Sequence, residues 1–217
     1  MSANERSSSS IGIFLIGDFD RVKNSQSIIA KLQEIFNISV LPKWSLEYRL
    51  YVTRPELSAA NESTAQHVLW LSHVPKVLIG MPEVKDKVTS FRLAKIPATR
   101  KGDYQNFLSM KNTLIWTPKS HVGILNGMTI QQNDYTVRMG EVRAVGTNQG
   151  LRSFLIAIEV PSKVAVDGSV GKEEEERVRF EVMSLVKALG TGETKEAWGF
   201  GGELDIVRAW CDIMKSR

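Results

Sequence analysis

The amino-acid sequence predicts an α+β fold in which an antiparallel sheet curls toward a barrel and is flanked by helices. Residues 44–52 alternate apolar and polar side chains with the period of two that half-buried strands show. Residues 24–37, 173–189 and 203–215 carry apolar side chains at helical spacing instead. The resulting order is a strand, a helix, a run of strands and two terminal helices. This order favours a barrel or strongly curled sheet over an alternating βαβ fold.

The composition is that of an ordinary globular chain, with 217 residues, 42% hydrophobic residues, 24% charged residues and a formal net charge of +4. This length fits one barrel-like domain, residues 11–217, behind a serine-rich leader, residues 1–10, which we expect to be disordered. No apolar run approaches the roughly 20 residues that a membrane helix needs. One cysteine, Cys211, allows no internal disulfide. We therefore expect a chain that is neither membrane-bound nor secreted.

The N-terminal half begins with a continuous apolar run, residues 11–16, which predicts a buried strand. The following helix, residues 24–37, has one apolar face made by Ile28, Leu32, Ile35 and Phe36. After the alternating strand at 44–52, residues 67–72 and 76–81 predict a hairpin. We interpret residues 82–103 as a long connection with one short strand around Phe91.

The middle of the chain is expected to contain a short helix at residues 104–112 and then mostly strands. Asn126 and Gly127 favour a tight turn, and Asn133 with Asp134 favours another. The apolar phase slips near Gly140, which predicts a β-bulge there. Residues 146–150 predict a hairpin loop that leads to a central strand at 154–160, because both of its faces are apolar.

The C-terminal part predicts two helices joined by a glycine-rich connection. The first helix, residues 173–189, starts with four glutamates and ends before Gly190, which suits its dipole and its cap. The second helix, residues 203–215, has a narrow stripe formed by Ile206, Val207, Trp210 and Met214. A short helix with such a stripe is marginal alone in water, so we expect it to pack on the chain's own sheet through Trp210.

Short catalytic motifs are not convincing in this sequence. Residues 190–195 superficially resemble a phosphate loop, but their spacing is wrong and a helix precedes them. Residues 167–171 lack the first glycine of a nucleophile elbow. The histidines, His67, His73 and His121, have no cysteine or carboxylate at metal-ligand spacing, and we expect surface or strand-end positions for them. The motifs thus indicate no enzyme activity and no cofactor.

Two other function classes remain as alternatives. A barrel tunnel acting on phosphorylated substrates could be lined by strand charges, namely Glu47, Arg49, Arg138, Glu141 and Arg143. Each of those strands also has an apolar face, which favours charges outside and apolar side chains inside. The slight positive charge allows weak nucleic-acid binding, but the sequence has no basic cluster. We expect no specific nucleic acid as a partner.

Two aromatic residues, Trp198 and Phe200, are not explained by helical or strand periodicity. They lie in the glycine-rich connection between the last two predicted helices. Bulky aromatic side chains in such a position either pack back on the chain's own sheet or anchor a partner. The sequence leaves both alternatives open, and we take Trp198 and Phe200 as candidate partner-binding residues.

Three segments together resemble subunit 20 of the Mediator complex, the general coactivator of RNA polymerase II, and particularly its fungal members. The first is the initial strand and helix followed by residues 44–49. The second is residues 108–116, and the third runs from 133–139 through 150–160. Residues 205–214 are also similar to the C-terminal helix of that family.

This resemblance implies an antiparallel β-barrel with flanking helices, a nuclear location and no catalytic residues or cofactor. It further implies pairing with Mediator subunit 18, a barrel of related fold, and tethering to the head module by a helix of subunit 8. Contacts with other head-module subunits and with RNA polymerase II would then be indirect. The family offers no active-site signature, so no functional residue is transferred to this chain.

Overall fold

The computed structural model describes residues 8–17, 23–35, 39–54, 56, 64–85, 88–103, 106, 116–132, 134–146, 150–164 and 169–215. The strands are β1 (Ser8–Ile16), β2 (Ser39–Thr53), β3 (Ala65–Leu71), β4 (Lys76–Lys85), β5 (Val88–Pro97), β6 (Trp116–Gln132), β7 (Tyr135–Ala144), β8 (Leu151–Ser162) and β9 (Thr194–Gly199). The helices are α1 (Lys23–Ile35), α2 (Lys172–Leu189) and α3 (Glu203–Lys215).

One antiparallel sheet contains all nine strands in the order β5-β4-β3-β2-β6-β7-β8-β1-β9. The chain starts near one edge, at β1, and most later strands add next to their sequence neighbours as hairpins. β8 then returns to pair with β1 along its whole length, from Ser8 opposite Ser162 to Ile16 opposite Phe154. The predicted central position of this strand is confirmed, because β8 lies between β7 and β1.

The sheet is curled around α3. A flat sheet of nine strands would be roughly 38 Å wide at about 4.8 Å per strand, whereas a 13-residue helix is about 20 Å long. Nevertheless α3 contacts β9 and β1 at one end of the sheet and β3, β4 and β5 at the other. The two ends must therefore bend toward each other, and the predicted α+β class with a curled antiparallel sheet is confirmed.

The concave face of the sheet is covered by α3. Its buried side chains, which include Val207, Trp210 and Ile213, form one cluster with inward-facing strand residues such as Tyr48 and Leu155. The rings of Trp210 and Trp44 lie 6.1 Å apart between centroids, and both side chains are almost fully buried. The structure thus confirms that this helix packs on the chain's own sheet with Trp210 as its anchor.

The convex face is covered by α1 and α2 over β1, β7 and β8. Ile28 and Leu32 of α1 join Val178, Val182, Val186 and Leu189 of α2 in a second apolar cluster on this side. Gly190 ends α2 in the left-handed conformation, with φ +67°, as its sequence position predicted. Ile35, the last residue of α1, is 44% exposed, unlike Ile28 and Leu32 of the same predicted apolar face.

Two predicted connections turn out to be strands. The region predicted as a long connection around Phe91 contains the full ten-residue strand β5, which pairs with β4 from Lys76 to Lys85. The glycine-rich connection after α2 contains β9, which pairs with β1. Both are the outermost strands of the sheet. An edge strand needs fewer apolar residues than a central one, so neither produced a clear alternation in the sequence.

The predicted turn at Gly127 was wrong, and the irregularity predicted at Gly140 lies in the β6–β7 ladder, between the pairs Gly123–Arg143 and Met128–Met139, and not in the β7–β8 ladder at that residue. Gly127 does not turn the chain but lies inside β6, where an added Cβ would be 2.2 Å from Trp44 Nε1. Gly140 pairs regularly with Leu155, and the irregularity in this ladder lies between Val142 and Arg143. The apolar phase changes because Val137 and Met139 face the convex side and Val142 the concave side.

The remaining boundaries differ only in extent. β1 begins at Ser8, before the predicted start at residue 11, because Ser8 to Ser10 continue the ladder with β8. The helix predicted at 104–112 and the apolar position Phe36 lie outside the described residues, except for Asn106.

None of the helices in the described part of the chain has the length and apolar character that a membrane span requires.

Candidate interaction site

The candidate site is built on β9, the last strand of the sheet. Gly190 and Gly192 have φ values of +67° and +74°, which glycine adopts without steric cost, and they reverse the chain after α2. Residues of β9 then pair with β1, with Trp198 opposite Gly12. Since strand side chains alternate, Trp198 lies on the convex side and Phe200 follows two residues later.

Trp198 packs against β1 and α2. A Cβ at Gly12 would lie 2.8 Å from Trp198 Cζ3, so the indole occupies the space above that glycine. The indole and the Phe14 ring also meet in a T-shaped arrangement, at a centroid distance of 5.5 Å and an interplanar angle of 89°. The indole Nε1 is buried and has no hydrogen-bond acceptor among the described residues. Trp198 as a whole is only half-buried.

Phe200 extends this aromatic surface. Its ring is parallel to that of Trp198 at a centroid distance of 6.0 Å. The Arg179 guanidinium of α2 lies over both rings, with Cζ 4.8 Å from the Trp198 centroid and 4.9 Å from that of Phe200. A cation in this position is attracted by the negative faces of the rings. Contacts within the chain therefore cover part of the surface of each ring, and Phe200, like Trp198, is half-buried.

The accessible part of these rings lines a cavity of about 480 Å³. This cavity, called here the edge pocket, lies between the beginning of α2, the end of β9 and the outer side of α3. Its charged lining residues are Glu175, Asp205, Arg208 and Asp212, and its aromatic lining residues are Trp198 and Phe200. Sequence reasoning thus selected the two aromatic residues, and the structure places them together in one wall.

Sequence reasoning missed the charged residues of the edge pocket. Asp205, Arg208 and Asp212 follow one another at i, i+3 and i+7, so they form a stripe on one side of α3. This stripe is charged, whereas the buried stripe of α3 is apolar. From the sequence alone it is indistinguishable from an ordinary solvent-exposed helix face. Only the position of β9 beside it, which was not predicted, brings the stripe to Trp198 and Phe200.

The charges considered for a barrel tunnel are divided between the two faces. Glu47 and Arg49 lie outside, because their neighbours Leu46 and Tyr48 face the concave cluster. Glu141 and Arg143 pair with each other on the outside as well. Arg138 differs from the prediction, since it lies opposite Ala157 on the concave side, where it forms an ion pair with Glu159.

Glu47 is the centre of a charged group on the convex side. It receives hydrogen bonds from Arg49 and Lys101, and His121 Nε2 lies 3.1 Å from its Oε1. Partial burial alone would raise the pKa of the Glu47 carboxyl, but the contacts with His121, Lys101 and Arg49 outweigh burial and hold it well below its usual range. Lys101 also lies 3.9 Å from the centroid of the Trp70 ring. The carboxylate of Glu47 is therefore shared among the basic side chains around it.

The histidines do not gather into a site. His67, predicted near the surface, is buried, and its Nδ1 is hydrogen-bonded to the Tyr48 hydroxyl at 2.8 Å. His73 is exposed in the connection between β3 and β4, with its ring against Trp44. His121 contacts Glu47, a carboxylate distant in sequence. Among the described residues, no three His, Cys, Asp or Glu side chains are placed to hold a metal ion.

Comparison with protein families identifies the chain. Residues 16–187 match the family described as the TATA-binding related factor (TRF) of subunit 20 of the Mediator complex. The chain belongs to this family. The matched residues contain β2 to β8, α1 and most of α2, whereas β9 and α3, which supply half of the residues that line the edge pocket, follow them. Among curated proteins, no sequence match is found.

Several solved structures are similar to this member of the Mediator subunit 20 family. The PH1819 protein from Pyrococcus horikoshii OT3 is 13% identical, with 86% of this chain and 93% of that chain covered and a TM-score of 0.48. A candidate adenylate cyclase from Vibrio parahaemolyticus is 9% identical, with 85% and 89% covered and a TM-score of 0.46. HpAC1 from Hippeastrum, described as having a dominant triphosphatase activity, is 11% identical, with 94% and 96% covered and a TM-score of 0.43. No activity is inferred from likenesses this distant.

Proposed function

We propose that this chain is a non-enzymatic subunit of the Mediator coactivator complex and acts as a protein-interaction scaffold in its head module. In that role it supports regulated transcription by RNA polymerase II in the nucleus. The observation that carries the proposal is the family match over residues 16–187. Membership of the subunit 20 family supports a place in the Mediator complex, and the rest of the proposal extends from it.

The proposed direct partners are Mediator subunit 18, as a heterodimer, and a helix of Mediator subunit 8. Other head-module subunits and RNA polymerase II are then reached through them. We place one contact at the edge pocket, because Trp198 and Phe200 present a half-buried aromatic wall beside a cavity. Large aromatic side chains next to a pocket are the residues that most often contribute strongly to protein binding.

A scaffold role without catalysis is supported by the concave side of the sheet. Barrel enzymes need an open interior where charged side chains can reach a substrate. Here α3 packs against that side and buries Trp210 and Met214 there, and Arg138 is paired with Glu159. This packing supports a role in protein interactions rather than in catalysis.

Purification of a tagged copy from nuclear extract tests the proposal. We expect Mediator head subunits, including subunits 18 and 8, to co-purify with the wild-type chain. Absence of these subunits from the eluate would contradict the proposed function. A double variant, Trp198→Ala with Phe200→Ala, tests the site and should recover less partner protein.

The matched control for that variant is Phe180→Ala. Phe180 lies on α2 and is 75% exposed, so its removal deletes the same kind of side chain outside the edge pocket. Recovery of the partners should then equal that of the wild-type chain. An equal loss in the control and in the double variant would assign the effect to general surface hydrophobicity rather than to the pocket.

A further inference from the structure

We propose that the edge pocket binds a lysine or arginine side chain carried by an extended segment of a partner protein. The inference rests on the proposed function only for the identity of the complex in which the partner is found. The chemistry of the occupant follows from three features of the pocket: the sign of its charge, the aromatic wall and the sheet edge that borders it.

The charge of the pocket is opposite to that of the whole chain. Three carboxylates, those of Glu175, Asp205 and Asp212, line it together with one guanidinium, that of Arg208, while the formal net charge of the chain is +4. Arg208 Nε lies 3.8 Å from Asp212 Oδ2, and both side chains are at least half exposed. Such a long and exposed ion pair is weak, so it can give way to a better placed cation.

The aromatic wall favours the same kind of occupant. Trp198 and Phe200 already hold one cation of the chain, Arg179, over their rings. Arg179 is not among the residues that line the pocket. A lysine or arginine side chain entering the cavity would therefore lie beside these aromatic rings and the carboxylates together, which is the combination that binds a partly desolvated cation.

The bordering strand indicates that the cation belongs to an extended peptide. β9 is the last strand in the order of the sheet among the described residues, so it forms an edge of the sheet. An extended segment can form main-chain hydrogen bonds with such an edge and place alternate side chains in an adjoining pocket. A small amine could enter the pocket, but it has no peptide backbone and could not form main-chain hydrogen bonds with the edge of β9.

Photo-crosslinking in the purified assembly tests the proposal. Val170 at the rim is replaced by p-benzoylphenylalanine in the tagged chain, and the crosslinked segment is identified by mass spectrometry. Lys119, exposed on β6, is the control position for the same replacement. We expect one partner segment from Val170 with a lysine or arginine near the crosslinked residue, and not from Lys119.

A comparison that removes the charge from the protein, from the peptide or from both then tests the contact between the basic side chain and the pocket. A synthetic peptide of the crosslinked segment is compared with a version in which citrulline replaces its basic residue. The double variant Asp205→Asn with Asp212→Asn should bind the basic peptide about tenfold more weakly than wild type. It should bind the citrulline peptide as well as wild type does. Glu173→Gln with Glu176→Gln, exposed on α2 outside the pocket, is the matched control and should change neither affinity.

Four outcomes would overturn the inference, and a fifth would overturn the proposed function instead. A crosslinked segment without a basic residue, a crosslink to the chain's own residues 1–7, or equal binding of both peptides overturns the inference. Co-purification of Mediator subunits without any crosslink at Val170 also overturns it and leaves the proposed function standing. If no Mediator subunit co-purifies but another protein crosslinks through an extended basic segment, the proposed function fails and the pocket chemistry stands.

Discussion

At the scale of single residues, several glycines lie within strands because a neighbouring side chain occupies the place of a Cβ. Gly127 is the clearest case, since the Trp44 indole lies directly over it. Trp44 Nε1 donates a hydrogen bond to the Met139 carbonyl at 3.0 Å, and the side chain is 2% exposed. The indole therefore has little freedom to move away from an added methyl group.

The first prediction is that Gly127→Ala destabilises the fold. The new Cβ would displace the Trp44 indole and strain its hydrogen bond, and overpacking of this kind costs about 1–3 kcal/mol. Urea unfolding followed by circular dichroism measures the change. Gly150→Ala is the control, because a Cβ at the exposed Gly150 meets nothing within 4 Å. Equal unfolding midpoints for the two variants would contradict the packing argument.

The second prediction concerns the buried His67. Burial, with a smaller contribution from Lys215, lowers the pKa of His67 from 6.5 to about 4. The unfolded chain therefore binds a proton at a higher pH than the folded chain, and stability falls as the pH drops below 6.5. His67 alone should account for a loss of about 2 kcal/mol between pH 7 and pH 5.

Urea midpoints measured at several pH values check this expectation. His67→Gln should remove about half of the decline between pH 7 and pH 5, because glutamine does not titrate and because partial burial also lowers the pKa of His73 to about 4. His121→Gln is the control and should retain the decline, since it leaves His67 in place. The same slope in wild type and in His67→Gln would show that another group is responsible. The measurements stop at pH 5, because below that pH carboxylates such as Glu47 begin to bind protons in the unfolded chain and would add to the decline.

At the scale of elements, α3 is the internal support of the curled sheet. The third prediction is that Trp210→Ala costs about 3–5 kcal/mol of stability, since it empties a space between the two ends of the sheet. Leu204→Ala on the same helix removes a side chain that is 42% exposed and should cost far less. Thermal unfolding compares the two variants. A similar melting temperature for both would mean that α3 does not hold the sheet.

The elements that could be predicted from the sequence share strong patterns. α2 has a capping glycine and an acidic first turn, β2 alternates over many residues, and β8 is apolar on both faces. β5 and β9 could not be predicted, because each has a single neighbouring strand and few buried side chains. Gly127 was misinterpreted because a glycine that allows a close approach looks the same in sequence as a glycine in a turn.

At the scale of the whole molecule, the sequence indicated the aromatic half of the candidate site and not its charged half. Trp198 and Phe200 were conspicuous because no periodicity explained them. The edge pocket also needs α2, β9 and α3, which follow one another along the chain. The periodicity of each element shows its buried face but not how the three pack together, so Glu175, Asp205 and Asp212 could not be selected.

The distribution of charge over the molecule also bears on nucleic-acid binding. The surplus of positive charge is small, at +4, and many basic side chains already have carboxylate partners. These pairs are Arg49 and Lys101 with Glu47, Lys95 with Glu203, Arg138 with Glu159, Arg143 with Glu141, and Arg177 with Glu174 and Glu181. A paired cation must give up its partner before it can neutralise a phosphate.

The last prediction is therefore that the isolated chain binds nucleic acid only weakly and without regard to sequence. We expect dissociation constants of about 10⁻⁴ to 10⁻⁶ M at physiological salt, the range typical of non-specific binding. Affinity should fall steeply as salt rises, because each neutralised phosphate releases a counterion. Fluorescence polarisation with two unrelated labelled oligonucleotides measures both properties. Sub-micromolar affinity for one oligonucleotide at physiological salt, with weak binding of the other, would contradict this account, since it would require a cluster of unpaired basic side chains on one face.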